Sequence, residues 1–131
     1  MSYLSFDQLQ AMGFQHLGKN VRISDRASFY GATRISIGDD CRIDEFCVLS
    51  AGDGGITIGR NVHIAVFSSI IGNGTISLGD FSGLSSRVSI YSSNDDYSGE
   101  HMTNPTVPAK FTRVRHAPVT VGRHVIVGTG S

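Results

Sequence analysis

A chain of 131 residues, 40% hydrophobic and carrying 11 basic and 11 acidic side chains, has the length of one domain and no net charge. Nucleic-acid and anionic-membrane binders show a basic excess, so neither nucleic acid nor membrane insertion is expected. No apolar run approaches a membrane span, and Ser2-Tyr3-Leu4-Ser5-Phe6-Asp7 does not open a charged-then-apolar signal, so a cytoplasmic protein is expected.

Residues 5–12 read as the one helix. Ser5 with Gln8 three residues on makes a capping box, and Gly13 is placed to stop it. Phe6, Leu9 and Met12 share a face that needs something to cover, and the open end of whatever follows is the obvious candidate. Residues 1–16 are therefore expected to be a helical cap.

From Leu17 a phrase takes over: an aliphatic residue, Gly, two polar residues, then a small or aliphatic one. It occurs at Leu17-Gly18-Lys19-Asn20-Val21, Ile37-Gly38-Asp39-Asp40-Cys41, Ile58-Gly59-Arg60-Asn61-Val62, Leu78-Gly79-Asp80-Phe81-Ser82 and Val121-Gly122-Arg123-His124-Val125. The next aliphatic position follows six residues on, at Ile23, Ile43, Ile64, Leu84 and Val127. Hexapeptide periodicity is the signature of a β-helix, in which inward aliphatic residues stack on their counterparts one turn away. Three hexapeptides make a triangular turn of about 18 residues, and small corner insertions supply the rest. An all-β solenoid over residues 17–131 is the expected fold. Cys41 and Cys47 occupy the same slot of successive hexapeptides, which reads as two small core residues in a reducing compartment rather than a disulfide or metal pair.

The phrase glycines Gly79 and Gly122 are 43 residues apart where the others are 20 or 21 apart. An excursion at about 91–117 must therefore leave the solenoid. It is rich in Ser, Asn, Asp and Pro, and long loops on a rigid scaffold are usually functional. The chain stops at Gly128-Thr129-Gly130-Ser131, in mid-phrase and without a capping element. C-terminal turns are thus expected to be missing from the sequence as given.

These repeats resemble those of the hexapeptide-repeat acyltransferases, which fold as left-handed parallel β-helices. Leu78-Gly79-Asp80, Leu84 and Val88-Ser89-Ile90-Tyr91, then the long loop and Pro118-Val119-Thr120-Val121-Gly122, look most like the galactoside and maltose O-acetyltransferases and their relatives in polysaccharide clusters. The resemblance implies a homotrimer with acetyl-CoA as acyl donor and the CoA in a groove between subunits. It implies acetyl transfer to a hydroxyl of a sugar, in a surface polysaccharide or its precursor, with a loop histidine as general base. It places Thr129, after Gly128, at the acyl-CoA end, and puts the family's catalytic histidine at Asp95.

Five histidines are available. His16 and His124 read as solvated residues, and His63 as a residue near a corner. His101 and His116 lie in the excursion. A sugar hydroxyl needs a base to accept its proton as the thioester is attacked. The expected base is His116, paired with Asp95 as its orienter across the two ends of the loop. His101 is the second candidate, and Asp95 itself a third that suits an amine acceptor better than a hydroxyl. Two alternatives stay open: N-acetylation of an amino-sugar nucleotide, and a truncated, inactive trimeric scaffold. A three-histidine zinc site like that of the hexapeptide-fold carbonic anhydrases does not match the spacing of His63, His116 and His124, so no metal is expected.

Overall fold

The computed structural model describes residues 1–131, and the hexapeptide pattern becomes a left-handed parallel β-helix of about four turns. Its strands are two to four residues long and form three parallel sheets. The first contains His16–Leu17, Ile35–Ile37, Ile56–Ile58, Ile76–Leu78 and Val119–Val121. The second contains Arg22–Ile23, Arg42–Ile43, His63–Ile64, Gly83–Leu84 and Ile126–Val127. The third contains Ser28–Tyr30, Val48–Ala51, Ser69–Gly72 and Ser89–Tyr91.

The strands pair in register, so like stacks on like. Ile35, Ile56, Ile76 and Val119 form one column. Ile23, Ile43, Ile64, Leu84 and Val127 form another. Phe29, Leu49, Ile70 and Ile90 form the third. The 19 buried apolar residues make one continuous core. Each fully buried Ile or Leu contributes about 1.5–3 kcal/mol, which outweighs the poor nucleating power of strands this short. Cys41 and Cys47 belong to that core as free thiols. Burial pushes both above the ordinary thiol value, and their Sγ atoms lie 3.0 and 3.1 Å from the carbonyl oxygens of Gly59 and Ala65 in the next turn.

Left-handed backbone makes two of the corners. Asn20, Asp40, Asn61, Phe81 and His124 have φ between 55° and 61° at the first, and Phe46, Phe67 and Arg87 between 58° and 62° at the second. Asn and Asp adopt this region at little cost, whereas Phe and Arg do not. A repeated hydrogen bond holds them there: the N–H of Phe67 donates to Glu45 O at 3.2 Å, and that of Arg87 to Val66 O at 3.0 Å. At the first corner the His124 ring stacks on Phe81 at 5.1 Å and stays exposed, as the solvated ladder residue expected.

The helix spans Phe6–Ala11, with both hydrogen bonds of the Ser5/Gln8 capping box formed and Gly13 at φ 77° after it. Leu9 is buried, and Leu4, Met12 and Phe14 pack beside it against the first turn of the core. Phe6 departs from the expected apolar face and is 68% exposed. Leu4, held by its N–H to Ile23 O at 2.8 Å, packs on the core in its place. No helix is long and apolar enough to cross a membrane.

Candidate active site

The excursion leaves the third sheet through a two-stranded antiparallel neck, Ser93–Asn94 against Arg115–His116. Ser93 faces His116 and Asn94 faces Arg115, so the irregular part is 95–114, shorter at both ends than the 91–117 expected from the repeat. Across the neck Ser93 Oγ lies 2.7 Å from His116 Nδ1. The expected Asp95–His116 pair does not form. Asp95 is one residue beyond the last ladder pair, while Ser93 is directly opposite the imidazole and takes its Nδ1.

Within the excursion, Asp96 Oδ2 lies 2.8 Å from His101 Nδ1. The backbone N–H of Ser98 donates to Asp96 Oδ1 at 2.9 Å. The Ser98 backbone, then its hydroxyl, then His101 lower the Asp96 pKa to about 2. This His–Asp pair ties the loop to itself, so His101 is occupied as a brace.

Two grooves flank the neck and share Ile71, Ser93, Ala109, Thr112 and Val114 in their walls. One, of about 820 Å³, is lined also by Tyr91, Asn94, Asp95, Asn104 and Val107. The other, of about 810 Å³, includes Arg34, Asn73, Arg113 and His116. Arg34 is fixed there by donating from Nε to Gly52 O at 2.9 Å and from Nη2 to Ala51 O at 3.0 Å. Asp95 and His116 thus line different grooves, which share a wall that includes Ser93.

A third groove, of about 380 Å³, runs along the outside of the second sheet and contains His63, Gly83, Ser85, Ser86, Ile126 and Thr129. Thr129, expected at the acyl-CoA end, therefore lies with His63 and lines neither groove beside the excursion. His63 Nε2 is 2.8 Å from Asp44 Oδ2 and 2.9 Å from Arg42 Nη2. Asp44 is only 4% exposed and also accepts from Arg42 Nε at 3.0 Å. A buried carboxylate is stable only when paired and hydrogen-bonded, and here both conditions hold. The repeat carried a signal for this cluster that the sequence reading passed over. The slot after the inward aliphatic residue holds Ser24, Ala65, Ser85 and Gly128 in other turns, and only here a charged side chain. No group of three or more His, Cys, Asp or Glu is placed to hold a metal ion.

No protein-family model matches the chain. It is similar to the dTDP-4-amino-4,6-dideoxy-D-glucose acyltransferase of Escherichia coli, at 56% identity over all 131 residues of this chain and 68% of that protein. It is also similar to the solved structure of AntD, an N-acyltransferase from Bacillus cereus, in complex with dTDP and 3-hydroxybutyryl-CoA. There the TM-score is 0.92 and the identity 40%, over 98% of this chain and 68% of that one. A single-serine variant of AntD with dTDP-4-amino-4,6-dideoxyglucose and coenzyme A gives a TM-score of 0.93 at 39% identity, with the same coverage. Fold, repeat and likeness agree, and the chain belongs to the hexapeptide-repeat β-helix family of CoA-dependent acyltransferases.

Proposed function

We propose that the chain moves an acyl group from an acyl-CoA thioester to the amino group of a dTDP-linked 4-amino-4,6-dideoxy sugar. This is the N-acylation alternative raised by the sequence, and it displaces O-acetylation of a polysaccharide sugar. The observation that carries it is the 56% identity, along the whole chain, with an enzyme whose acceptor is a dTDP-amino sugar.

The chemistry is consistent with the residues present. The amine nitrogen attacks the thioester carbonyl, the C–N bond forms, the C–S bond breaks, and the CoA thiolate leaves with the proton balance closed by the nitrogen's proton. An uncharged amine is a better nucleophile than a sugar hydroxyl and makes less demand on a base. A carboxylate at Asp95, where the sugar O-acetyltransferases carry histidine, suits that lesser demand. It can accept a hydrogen bond from the acceptor nitrogen and hold its lone pair toward the carbonyl. The serine and the aspartate replaced in the AntD variants stand ten residues apart, the separation of Ser85 from Asp95. Asp96 has the same relation to Ser86, but its carboxylate is committed to His101 and Ser98.

In the groove that holds His116, Arg34 and Arg113 form a cationic wall suited to an anionic part of the acceptor, which makes His116 a binding residue instead of the base. Gly128 and Thr129 serve the donor. The active assembly is a homotrimer, and the substrates place the reaction in the cytoplasm.

The test is thiol release from acetyl-CoA and 3-hydroxybutyryl-CoA with dTDP-4-amino-4,6-dideoxyglucose or dTDP-glucose as acceptor. Release is expected only with the amino sugar. Equal release with dTDP-glucose would overturn the amine acceptor, and no release with any pair would overturn the reading.

A further inference from the structure

Gly83 is a glycine without a local cause. Its backbone is not left-handed, and a Cβ added to it would meet only the His63 carbonyl oxygen, at 3.9 Å. Each earlier glycine from Gly18 to Gly79 has either a positive φ or a Cβ position closer than 3.0 Å to a neighbour. Glycine inside a strand weakens it, and where packing does not require one it often marks the close approach of a ligand.

The row to which it belongs shows what the glycine removes. The paired outward positions of the second sheet are Arg22, Arg42, His63, Gly83 and Ile126. One absent side chain in that row opens a notch between His63 and Ile126, and Ser85, Ser86 and Thr129 complete its rim. One wall of the notch is built with care. His63 Nε2 is held between the buried Asp44 carboxylate at 2.8 Å and Arg42 Nη2 at 2.9 Å, so of the two ring nitrogens only Nδ1 has no partner within the protein. Arg42, beside the same nitrogen, is itself bonded to Asp44.

We propose that the Gly83 notch receives the acyl group of the thioester donor. The inference rests on the acyl-CoA reading of the site. The space freed by one side chain matches a few carbon atoms, the size of a short acyl group, within a groove of about 380 Å³. Ile126 supplies an apolar contact. Ser85, Ser86, Thr129 and His63 Nδ1 supply hydrogen-bonding groups for a carbonyl or a hydroxylated chain.

Calorimetric titration without acceptor tests this independently of turnover, using CoA, acetyl-CoA and 3-hydroxybutyryl-CoA against the parent chain, Gly83→Ala and Gly83→Val. The free Cβ position means that both variants should melt within a few degrees of the parent. Gly83→Val should leave CoA affinity within about twofold and weaken 3-hydroxybutyryl-CoA about tenfold or more, with acetyl-CoA and Gly83→Ala intermediate. His63→Gln should weaken the hydroxylated donor more than acetyl-CoA. Equal loss for all three ligands, no loss for any, or a changed assembly mass in Gly83→Val would overturn the notch while leaving the donor reading intact. A parent chain that binds none of the three overturns both, and failure of the dTDP-sugar acceptor in turnover leaves the titration unaffected.

Discussion

Ser93 Oγ and His116 Nδ1 meet at 2.7 Å across the antiparallel neck, where the excursion leaves and rejoins the solenoid. One nitrogen of the imidazole is thus spent on joining the two ends of the loop. Only Nε2 remains for a substrate. His116→Asn is expected to raise the KM for the acceptor severalfold with kcat nearly unchanged. A general base would behave otherwise, with kcat falling about a hundredfold or more. Steady-state kinetics with the dTDP-amino sugar separates the two roles.

Asp95 lines the second of the two grooves beside the same neck. If it holds the acceptor nitrogen, Asp95→Ala removes a hydrogen bond to a charged group, a change of about 1.5–3 kcal/mol. The kcat/KM for the amino sugar should then drop between roughly tenfold and a hundredfold. Acyl-CoA affinity, measured by titration, should not move. A parallel loss of donor affinity would place Asp95 elsewhere.

The Asp96–His101 brace sets an acid limit on the excursion. The folded-state pKa of Asp96 is lowered to about 2, so its ionised form is favoured by the fold. Its contribution is complete above the ordinary carboxylate range near 4 and is lost as pH falls toward 2. Proteolysis within 95–114 by an acid-active protease should therefore accelerate across that window. Asp96→Asn should show the fast rate already at the upper end of that window, and an unchanged rate would separate Asp96 from loop order.

The phrase glycines Gly18, Gly38, Gly59 and Gly79 answer to a different cause from Gly83. A Cβ at Gly38 would lie 2.7 Å from the Gly59 carbonyl carbon and oxygen and 2.9 Å from Arg60 N, all backbone atoms of the next turn. Turn spacing would have to open, and Gly38→Ala should cost about 2 kcal/mol or more. Chemical denaturation of Gly38→Ala beside Gly83→Ala should show the first destabilised and the second close to the parent.

Ser82 Oγ is buried without a hydrogen-bond partner, in a slot that Val62 and Val125 occupy in the flanking turns. An unsatisfied buried hydroxyl costs about 1–3 kcal/mol. Ser82→Ala should raise the melting temperature. A lower Tm would mean that the hydroxyl is satisfied in solution.

The solenoid was legible in the sequence because its core is one-dimensional. Ile37, Ile58 and Leu78 recur in the chain at the spacing at which they stack in space, so the period of the sequence is the geometry of the fold. The helix cap was legible for a similar reason, since a Ser5/Gln8 box is a local contact. Phe6 escaped because its exposure depends on how Leu4 seats against Ile23, a contact between segments.

The candidate site was legible only in outline. An interrupted period located the excursion, and its composition supplied His101, His116 and Asp95. Which of these meet was decided by the register of the neck, which pairs Ser93 with His116 and leaves Asp96 to His101. The cluster of Arg42, Asp44 and His63 draws on two turns, and the notch beside it exists because Gly83 stands over His63 in the ladder. The sequence by itself determined a stacked core, its turn length and the place where the chain departs from it. Tertiary structure alone decided which polar side chains on the outside of that core become neighbours, because outward positions carry no periodic burial constraint and are related only through the packing of one turn on the next.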